Sequence, residues 1–148
     1  MLSFDDLFKN DFPKKFIVEE TTPDKISPKD KDYVDKRQEE LYRLLSAELE
    51  IRTHGKTKLD RKYIPTIESL RKEKGIIFLL KTKAGKKLSG YVFVNFPSKK
   101  IYNFRHLYVD PSIDDNDAVR FTAEVSEMLM PRGYQMSRET VKKLGYGW

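Results

Sequence analysis

With 148 residues, the chain has the length of one ordinary domain, and nine phenylalanines and eight tyrosines supply enough apolar surface for a packed core. The lack of cysteine excludes disulfides, thiol nucleophiles and zinc–thiolate sites, and only two histidines, His54 and His106, argue against a histidine-rich metal site. The net charge of +6 comes from 29 basic and 23 acidic residues that are mostly interspersed, which is typical of a solvated surface rather than a dedicated nucleic-acid face.

The sequence contains no sign of membrane insertion or export. No stretch of about 18 apolar residues is present, so no membrane span is predicted. The N-terminus, MLSFDDLFKN, lacks the basic start and apolar stretch of a signal peptide. We therefore expect a protein that is not secreted and that is cytoplasmic, in a cell or in an infected host.

Four stretches have the composition of β-strands, because they are rich in β-branched and aromatic residues. They lie at residues 16–21, 76–81, 88–96 and 101–109. The short turns KAGK and PSKK join the last three, which predicts an antiparallel meander. In the last strand, alternation places one aromatic row on a single face. That row is Tyr102, Phe104, His106 and Tyr108.

Helices are predicted where apolar residues recur at helical spacing, at residues 33–52, 60–74 and 117–130. The first helix carries a long apolar stripe. Its members are Val34, Leu41, Leu45 and Leu49, with Tyr42 and Leu44. A short strand at residues 133–136 and a last helix capped by Ser137 complete the order β-α-α-β-β-β-α-(β)-α.

This order, together with LYVDP leading into a helix and KKLGY near the end, resembles the GNAT superfamily of acyl-CoA N-acyltransferases. The resemblance covers residues 16–148, and it implies a single α+β domain with a central, mostly antiparallel sheet flanked by helices. Residues 1–15 precede that domain as a separate segment. In the family, the strand that ends in a pattern like LYV-x-P bulges and splays away from its neighbour.

The resemblance also implies a cofactor site. In the family, the backbone of the splayed strand binds the pantetheine arm, and the loop Arg/Gln-x-x-Gly-x-Gly/Ala wraps the pyrophosphate at the next helix. Carried over to this chain, acetyl-CoA would lie, if the protein is active, against six residues of the strand and of the helix start. They are Leu107, Tyr108, Val109, Asp117, Ala118 and Val119.

The pyrophosphate loop departs from the family at every diagnostic position. Asp114 stands where the family has Arg or Gln, Asp117 replaces the first glycine, and Val119 replaces the second small residue. Asp117 is expected to cap the helix and so to accept the N–H bonds that a phosphate would take. Like charges about 4 Å apart repel by about 1 to 4 kcal/mol, so binding of pyrophosphate is expected to be damaged or lost.

The catalytic positions are mixed. Val141 stands where the family places a tyrosine acid, which leaves Tyr146 as the candidate general acid. On the strand, the family's acidic base falls near Arg105 and His106, and His106 can take a proton from an amine near neutral pH. The alternative is that His106 is a half-buried member of the aromatic row.

Two regions are candidates for contact with a partner protein or a second copy. Family members continue past the last helix with one or two strands, whereas this sequence ends at Trp148, so a partner would cover that C-terminally short side of the sheet. Residues 1–15 carry an aromatic-acidic pattern typical of segments that dock in a groove, although packing on their own domain is equally consistent. The apolar residues of that pattern include Leu2, Phe4, Leu7 and Phe8.

Three functions follow as hypotheses. The first is a GNAT-fold protein that has lost effective acyl-CoA chemistry and serves as a binding or structural accessory component, for which a phage or similar assembly suits the size and lysine-rich composition. The alternative is an active acetyl-CoA-dependent N-acetyltransferase acting on an amine. The weakest is non-specific binding of nucleic acid through the basic turns KTKAGKK and PSKKIY.

Overall fold

The computed structural model describes residues 11–146, with side chains described as far as residue 142. Its centre is one five-stranded sheet in the order β1-β2-β3-β4-β5. The strands are β1 Phe16–Thr21, β2 Ile76–Thr82, β3 Leu88–Ser98, β4 Ile101–Val109 and β5 Gln135–Met136. The first four strands pair antiparallel and β5 pairs parallel to β4, which confirms the predicted meander and the α+β class.

Within the described residues, five helices accompany the sheet. They are α1 Phe12–Lys15, α2 Pro28–Thr53, α3 Ile67–Lys72, α4 Asp115–Leu129 and α5 Arg138–Tyr146. Helix α2 begins five residues before its predicted start, because Pro28 is tolerated in a first turn and the Ser27 hydroxyl accepts the Asp30 N–H at 3.2 Å. Within residues 11–146, no helix is long and apolar enough to cross a membrane.

The single helix predicted for residues 60–74 was wrong. A 3-10 turn at Arg61–Tyr63 and the separate helix α3 occupy this stretch. Pro65 has no N–H and disfavours a helical residue before it, so one helix cannot run through the position. Thr66 then starts α3 with a capping box, in which the Thr66 and Ser69 side chains each accept the other residue's backbone N–H.

The two faces of the sheet bury two separate apolar clusters, because successive side chains of each strand alternate. The face covered by α4 (the α4 face) includes Phe78, Leu80, Val92 and Val94. The face covered by α2 and α3 (the α2 face) includes Ile77, Leu79, Tyr91 and Phe93. Helix α4 contributes Phe121, Val125 and Leu129 to the first cluster.

The expected apolar stripe of α2 is mostly not buried. Only Asp30, Val34 and Gln38 are buried in this helix, whereas Leu44 is 70% exposed and Leu45 is 38% exposed. A helix of 26 residues is about 39 Å long, and only its first three turns lie over the sheet cluster. The spacing correctly predicted a helix but not which part of it the sheet covers.

The N-terminal segment packs on its own domain where the structure describes it. Phe12 is 4% exposed and its ring lies 5.3 Å from that of Phe16 in the α4-face cluster. The four residues expected to dock on a partner, Leu2, Phe4, Leu7 and Phe8, lie outside the described residues.

Candidate functional site

A bulge in β4 determines which way the candidate site residues point. Phe93 pairs with His106 and Val94 pairs with Phe104, so Arg105 is an additional residue with no partner of its own on β3. Because of this extra residue, each later side chain of β4 lies on the face opposite to the one that simple alternation would give it. The bulge expected from the resemblance is therefore present.

The predicted aromatic row on one face of β4 was wrong because of this bulge. Before it, Tyr102 and Phe104 lie in the α4-face cluster. After it, Leu107 and Val109 pack on that cluster, while Tyr108 packs on the α2-face cluster. His106 lies beside Tyr91 and Phe93 of the α2 face, with 6.1 Å between the ring centroids in both pairs.

Beyond the bulge, the outer edge of β4 is open. Strand β5 pairs only with Ile101 and Tyr102, and the Ser137 N–H then donates to the Tyr102 carbonyl at 2.8 Å. The Asp110 N–H donates to Ser89 of β3 at 2.8 Å, so by alternation Leu107 and Val109 direct their backbone groups away from β3. Within residues 11–146, no strand pairs with Leu107 or Val109 on that side.

Helix α5 covers the outer edge of β4 at Asn103 and Phe104, before the open part of that edge. The Thr140 hydroxyl accepts the Phe104 N–H at 3.0 Å and donates to the Asn103 side-chain oxygen at 2.6 Å. Ser137 caps the helix as predicted, since its hydroxyl oxygen accepts the Thr140 N–H at 3.1 Å, and it also donates to Asn103 at 2.9 Å. Asn103 and Thr140 were not predicted from the sequence, because neither belongs to a motif and only the tertiary fold brings them together.

The structure does not test the candidate general acid. Val141, which the resemblance places at the family's tyrosine position, is 54% exposed. Tyr146 is the last residue of α5, and its side chain lies outside the described part of the structure. Its proposed role stays a prediction.

The loop after β4 is held by its own carboxylates. The Asp110 carboxylate accepts the Ser112 backbone N–H at 2.9 Å and the Ser112 hydroxyl at 2.8 Å. These two hydrogen bonds lower the pKa of Asp110, so the group is anionic near neutral pH. Asp114 follows as the N-cap of α4, and its carboxylate accepts the Asn116 N–H at 2.8 Å.

The expectation that Asp117 caps α4 was therefore wrong. The cap lies three residues earlier at Asp114, because the helix begins at Asp115. Asp117 lies in the first turn, where its carboxylate accepts from the Lys15 ammonium at 2.8 Å, and only 14% of its side chain is exposed. This hydrogen bond raises the pKa of Lys15. Of the other two helix positions suggested for cofactor, Ala118 is half-buried and Val119 is 68% exposed.

A ring cluster surrounds the end of β4 on the α2 face. Tyr91 and Tyr108 stack with centroids 5.4 Å apart, and the Arg37 guanidinium lies 5.7 Å from the Tyr108 centroid. The buried Tyr91 hydroxyl donates to the Gln38 side-chain oxygen at 2.5 Å. Burial raises the pKa of both Tyr91 and Tyr108, so both phenols are neutral near pH 7.

The structure thus brings five of the suggested site residues to one end of the sheet, but it divides them between faces. Leu107 and Val109 lie on the α4 face beside the open edge, and His106 and Tyr108 lie on the α2 face. Asp117 lies in α4 and is paired with Lys15. Among residues 11–146, no group of three or more His, Cys, Asp or Glu side chains could hold a metal ion.

No protein-family model matches the chain, and no curated protein matches it. Two of the solved structures that overlap it are of an aminoglycoside acetyltransferase from an uncultured soil metagenomic sample, in complex with sisomicin and with trehalose. Both are 14% identical to this chain. The alignment with the sisomicin complex covers 84% of this chain and 76% of that chain, with a TM-score of 0.48. The alignment with the trehalose complex covers 88% of this chain and 84% of that chain, with a TM-score of 0.47. Similarity at this level assigns neither a family nor an activity.

Proposed function

We propose that this chain is a GNAT-like protein in which acyl-CoA chemistry is lost or weakened, and that it acts as a binding or structural accessory component. The observation that carries the proposal is the state of the loop between β4 and α4. There, Asp110 and Asp114 already accept the N–H groups of Ser112 and Asn116. A helix N-terminus binds phosphate through such N–H groups.

The charge of this loop supports the same conclusion. Asp110, Asp114, Asp115 and Asp117 all lie within eight residues of sequence, where a pyrophosphate would bring further negative charge. The Lys15 ammonium pairs with this helix start, and it is held by the Asp117 carboxylate at 2.8 Å. Repulsion of about 1 to 4 kcal/mol corresponds to a loss of one to three powers of ten in affinity.

The accessory role would depend on surfaces that contact a partner and not on catalytic residues. The partner, or a second copy of the chain, would contact residues 1–15 through Leu2, Phe4, Leu7 and Phe8, and would also contact the C-terminal side of the sheet. A phage or similar assembly suits a small, lysine-rich chain of this size.

The first test is thermal unfolding with acetyl-CoA. We expect 1 mM acetyl-CoA to leave the melting temperature of the natural chain unchanged, whereas a site with a Kd near 10 μM would stabilise it by about 2.7 kcal/mol, which is a shift of several degrees. Asp114→Gly removes the capping carboxylate and is expected to bind acetyl-CoA at least about tenfold more tightly. Glycine is tolerated at an N-cap, so the helix should remain folded.

Asp114→Asn is the matched control, because asparagine keeps the cap and removes the charge. We expect it to improve binding less than Asp114→Gly does. A shift of several degrees in the natural chain would contradict the proposed loss. If Asp114→Gly bound no better than Asp114→Asn, occupation of the helix N–H groups would not be the cause.

The second candidate function is an active N-acetyltransferase, and the open edge of β4 favours it. Leu107 and Val109 offer backbone donors and acceptors to an extended amide-bearing arm such as pantetheine. In this reading His106 takes the proton of the amine acceptor and Tyr146 protonates the thiolate that leaves.

Release of free CoA thiol from acetyl-CoA, measured with a panel of polyamines and aminoglycosides, tests this second function. An active enzyme should release thiol only when an amine is present. His106→Gln should then lower kcat by about 100-fold or more if His106 is the base, since general bases contribute about that much. Equal thiol release with and without amine would exclude the transfer.

A further inference from the structure

A cavity of about 660 Å³ lies between the start of α2 and the turn that joins β2 to β3. It opens on the α2 side of the sheet, whereas Asp114 and Asp117 lie at the start of α4. Five lysines line it: Lys29, Lys36, Lys81, Lys86 and Lys87. The acidic residues in its lining are Asp30 and Asp32.

The fold makes these lysines converge from two elements. Lys29 and Lys36 are seven residues apart in α2, so they project from the same helix face about 10 Å from each other. Lys86 and Lys87 come from the opposite wall, the β2–β3 turn, where Lys86 has a left-handed backbone with φ of 51°. Concave walls that carry one sign of charge concentrate the field between them.

One of the five lysines is already neutralised. The Lys81 ammonium lies 2.9 Å from the Asp30 carboxylate and 3.1 Å from the Glu19 carboxylate, and only 12% of its side chain is exposed. Lys81 and Asp30 both line the cavity, and their ion pair uses the charge of Asp30. Asp32 is then the one remaining acidic side chain in the lining.

The other four lysines have no such partner. Within residues 11–146, no carboxylate lies within ion-pair distance of Lys29, Lys36, Lys86 or Lys87. Lys87 acts on Asp110 only at longer range, where it adds to the lowering of the pKa of Asp110 after the hydrogen bonds from Ser112. Four cations face one carboxylate, which leaves the cavity with a net charge of about +3.

The cavity also offers apolar surface. Tyr33 and Leu88 form part of its lining, and the Arg37 guanidinium lies over the Tyr33 ring, 5.4 Å from the ring centroid. A volume of 660 Å³ lies in the range of small-molecule sites and exceeds what inorganic phosphate needs. An organic group could therefore lie against Tyr33 while phosphates lie among the lysines.

We propose that this cavity binds a small organic polyphosphate, for which a nucleoside triphosphate is the test case. Lysine is a common phosphate ligand that acts as a point charge, and several lysines can share one phosphate chain. A convergent pocket suits a compact ligand better than a nucleic-acid backbone, which is followed by a stripe of charge along a surface. The site goes beyond the proposed function and shares no residue with the β4–α4 loop. Because acetyl-CoA also carries a nucleoside polyphosphate, a melting shift with acetyl-CoA that Lys86→Gln combined with Lys87→Gln abolishes reports binding in this cavity, and a shift that this pair leaves unchanged reports binding at the loop.

Isothermal titration at 0.1 M salt with ATP, inorganic triphosphate and adenosine tests the site. We expect ATP to bind, triphosphate to bind more weakly and adenosine not to bind. Lys86→Gln combined with Lys87→Gln should weaken ATP binding about tenfold or more, because a hydrogen bond to a charged group is worth about that much. Lys29→Gln combined with Lys36→Gln should have a similar effect from the helix side.

Lys56→Gln combined with Lys58→Gln is the matched control, because it removes the same charge from an exposed loop outside this cavity. We expect ATP binding by this variant to stay within about twofold of the natural chain, since exposed charges beyond about 10 Å are screened at this salt concentration. Equal weakening by the control and the pocket pairs would overturn the site in favour of a diffuse charge effect. Absence of ATP binding would also overturn the site. So would a DNA duplex that binds more tightly than ATP and whose binding neither pocket double variant weakens.

Discussion

Phe121→Ala is expected to lower the free energy of unfolding by about 3 to 5 kcal/mol. Phe121 is fully buried in the α4-face cluster and is the largest side chain that α4 contributes to it. Its truncation removes apolar surface from that cluster and leaves a cavity that the neighbouring strands cannot fully close. A loss of this size is a large share of the total stability of an ordinary domain, about 5 to 15 kcal/mol. Urea denaturation followed by circular dichroism measures it.

Val119→Ala is the control on the same helix. Val119 is 68% exposed, and alanine has the higher helix propensity, so we expect a change within about 0.5 kcal/mol of zero. Similar losses in the two variants would mean that α4 does not pack on the sheet through Phe121. The placement of the start of α4, and with it the assignment of Asp114 as the N-cap, would then also be in question.

Lys81→Met is expected to lower the free energy of unfolding by about 2 kcal/mol. The substitution leaves the Asp30 carboxylate, whose side chain is 10% exposed, without its cation. Breaking a buried pair costs about 3 to 5 kcal/mol, and we expect less here because Glu19 is 47% exposed and water reaches this part of the pair. Adding Asp30→Leu should recover most of the loss, because the double variant buries no unpaired charge.

The pH dependence of this difference has a defined sign. Burial of Lys81 acts to lower its pKa, but the hydrogen bonds that its ammonium donates to Asp30 and Glu19 outweigh burial, so the pKa lies above its ordinary value of 10.5. The charged lysine is thus favoured in the folded state, and its contribution is fully present below the unfolded pKa. The stability difference between the natural chain and Lys81→Met should be constant from pH 7 to about pH 10 and should shrink at higher pH. A difference that grew above pH 10 would contradict the assignment.

Much of the fold could be predicted because its signals are local. The four main strands were correctly placed from their β-branched and aromatic residues, and β2 to β4 form the meander that their short turns predicted. Helix α4 lies where apolar spacing indicated a helix, and Ser137 caps α5. Each of these features depends on residues a few positions apart, so the sequence alone carries the information.

The faces of β4 could not be predicted in the same way. Simple alternation placed His106 in a row with Phe104, but the extra residue at Arg105 separates them. The bulge depends on pairing with Phe93 and Val94 of the neighbouring strand, which precede β4 by about ten residues in the sequence. A shift of one residue in pairing moves every later side chain to the other face, so a small tertiary detail redirects the whole candidate site.

The local sequence pattern also could not show which of several nearby residues of the same type takes a given structural role. Asp114 and Asp117 both suit a helix start, and the choice depends on where the loop leaves β4 and where Lys15 places its ammonium. The lysine cavity is another example, because Lys36 and Lys86 are 50 positions apart and only the packing of α2 beside the β2–β3 turn makes them neighbours.

Composition and spacing over a few residues were enough to predict the order of the four main strands and of the longer helices, the α+β class and the acidic character of the β4–α4 loop. The tertiary structure alone decided which aspartate caps α4, which half of α2 is covered and which lysines share a cavity. Those outcomes depend on pairing register and on contacts between distant segments, and neither leaves a periodic signal in the chain.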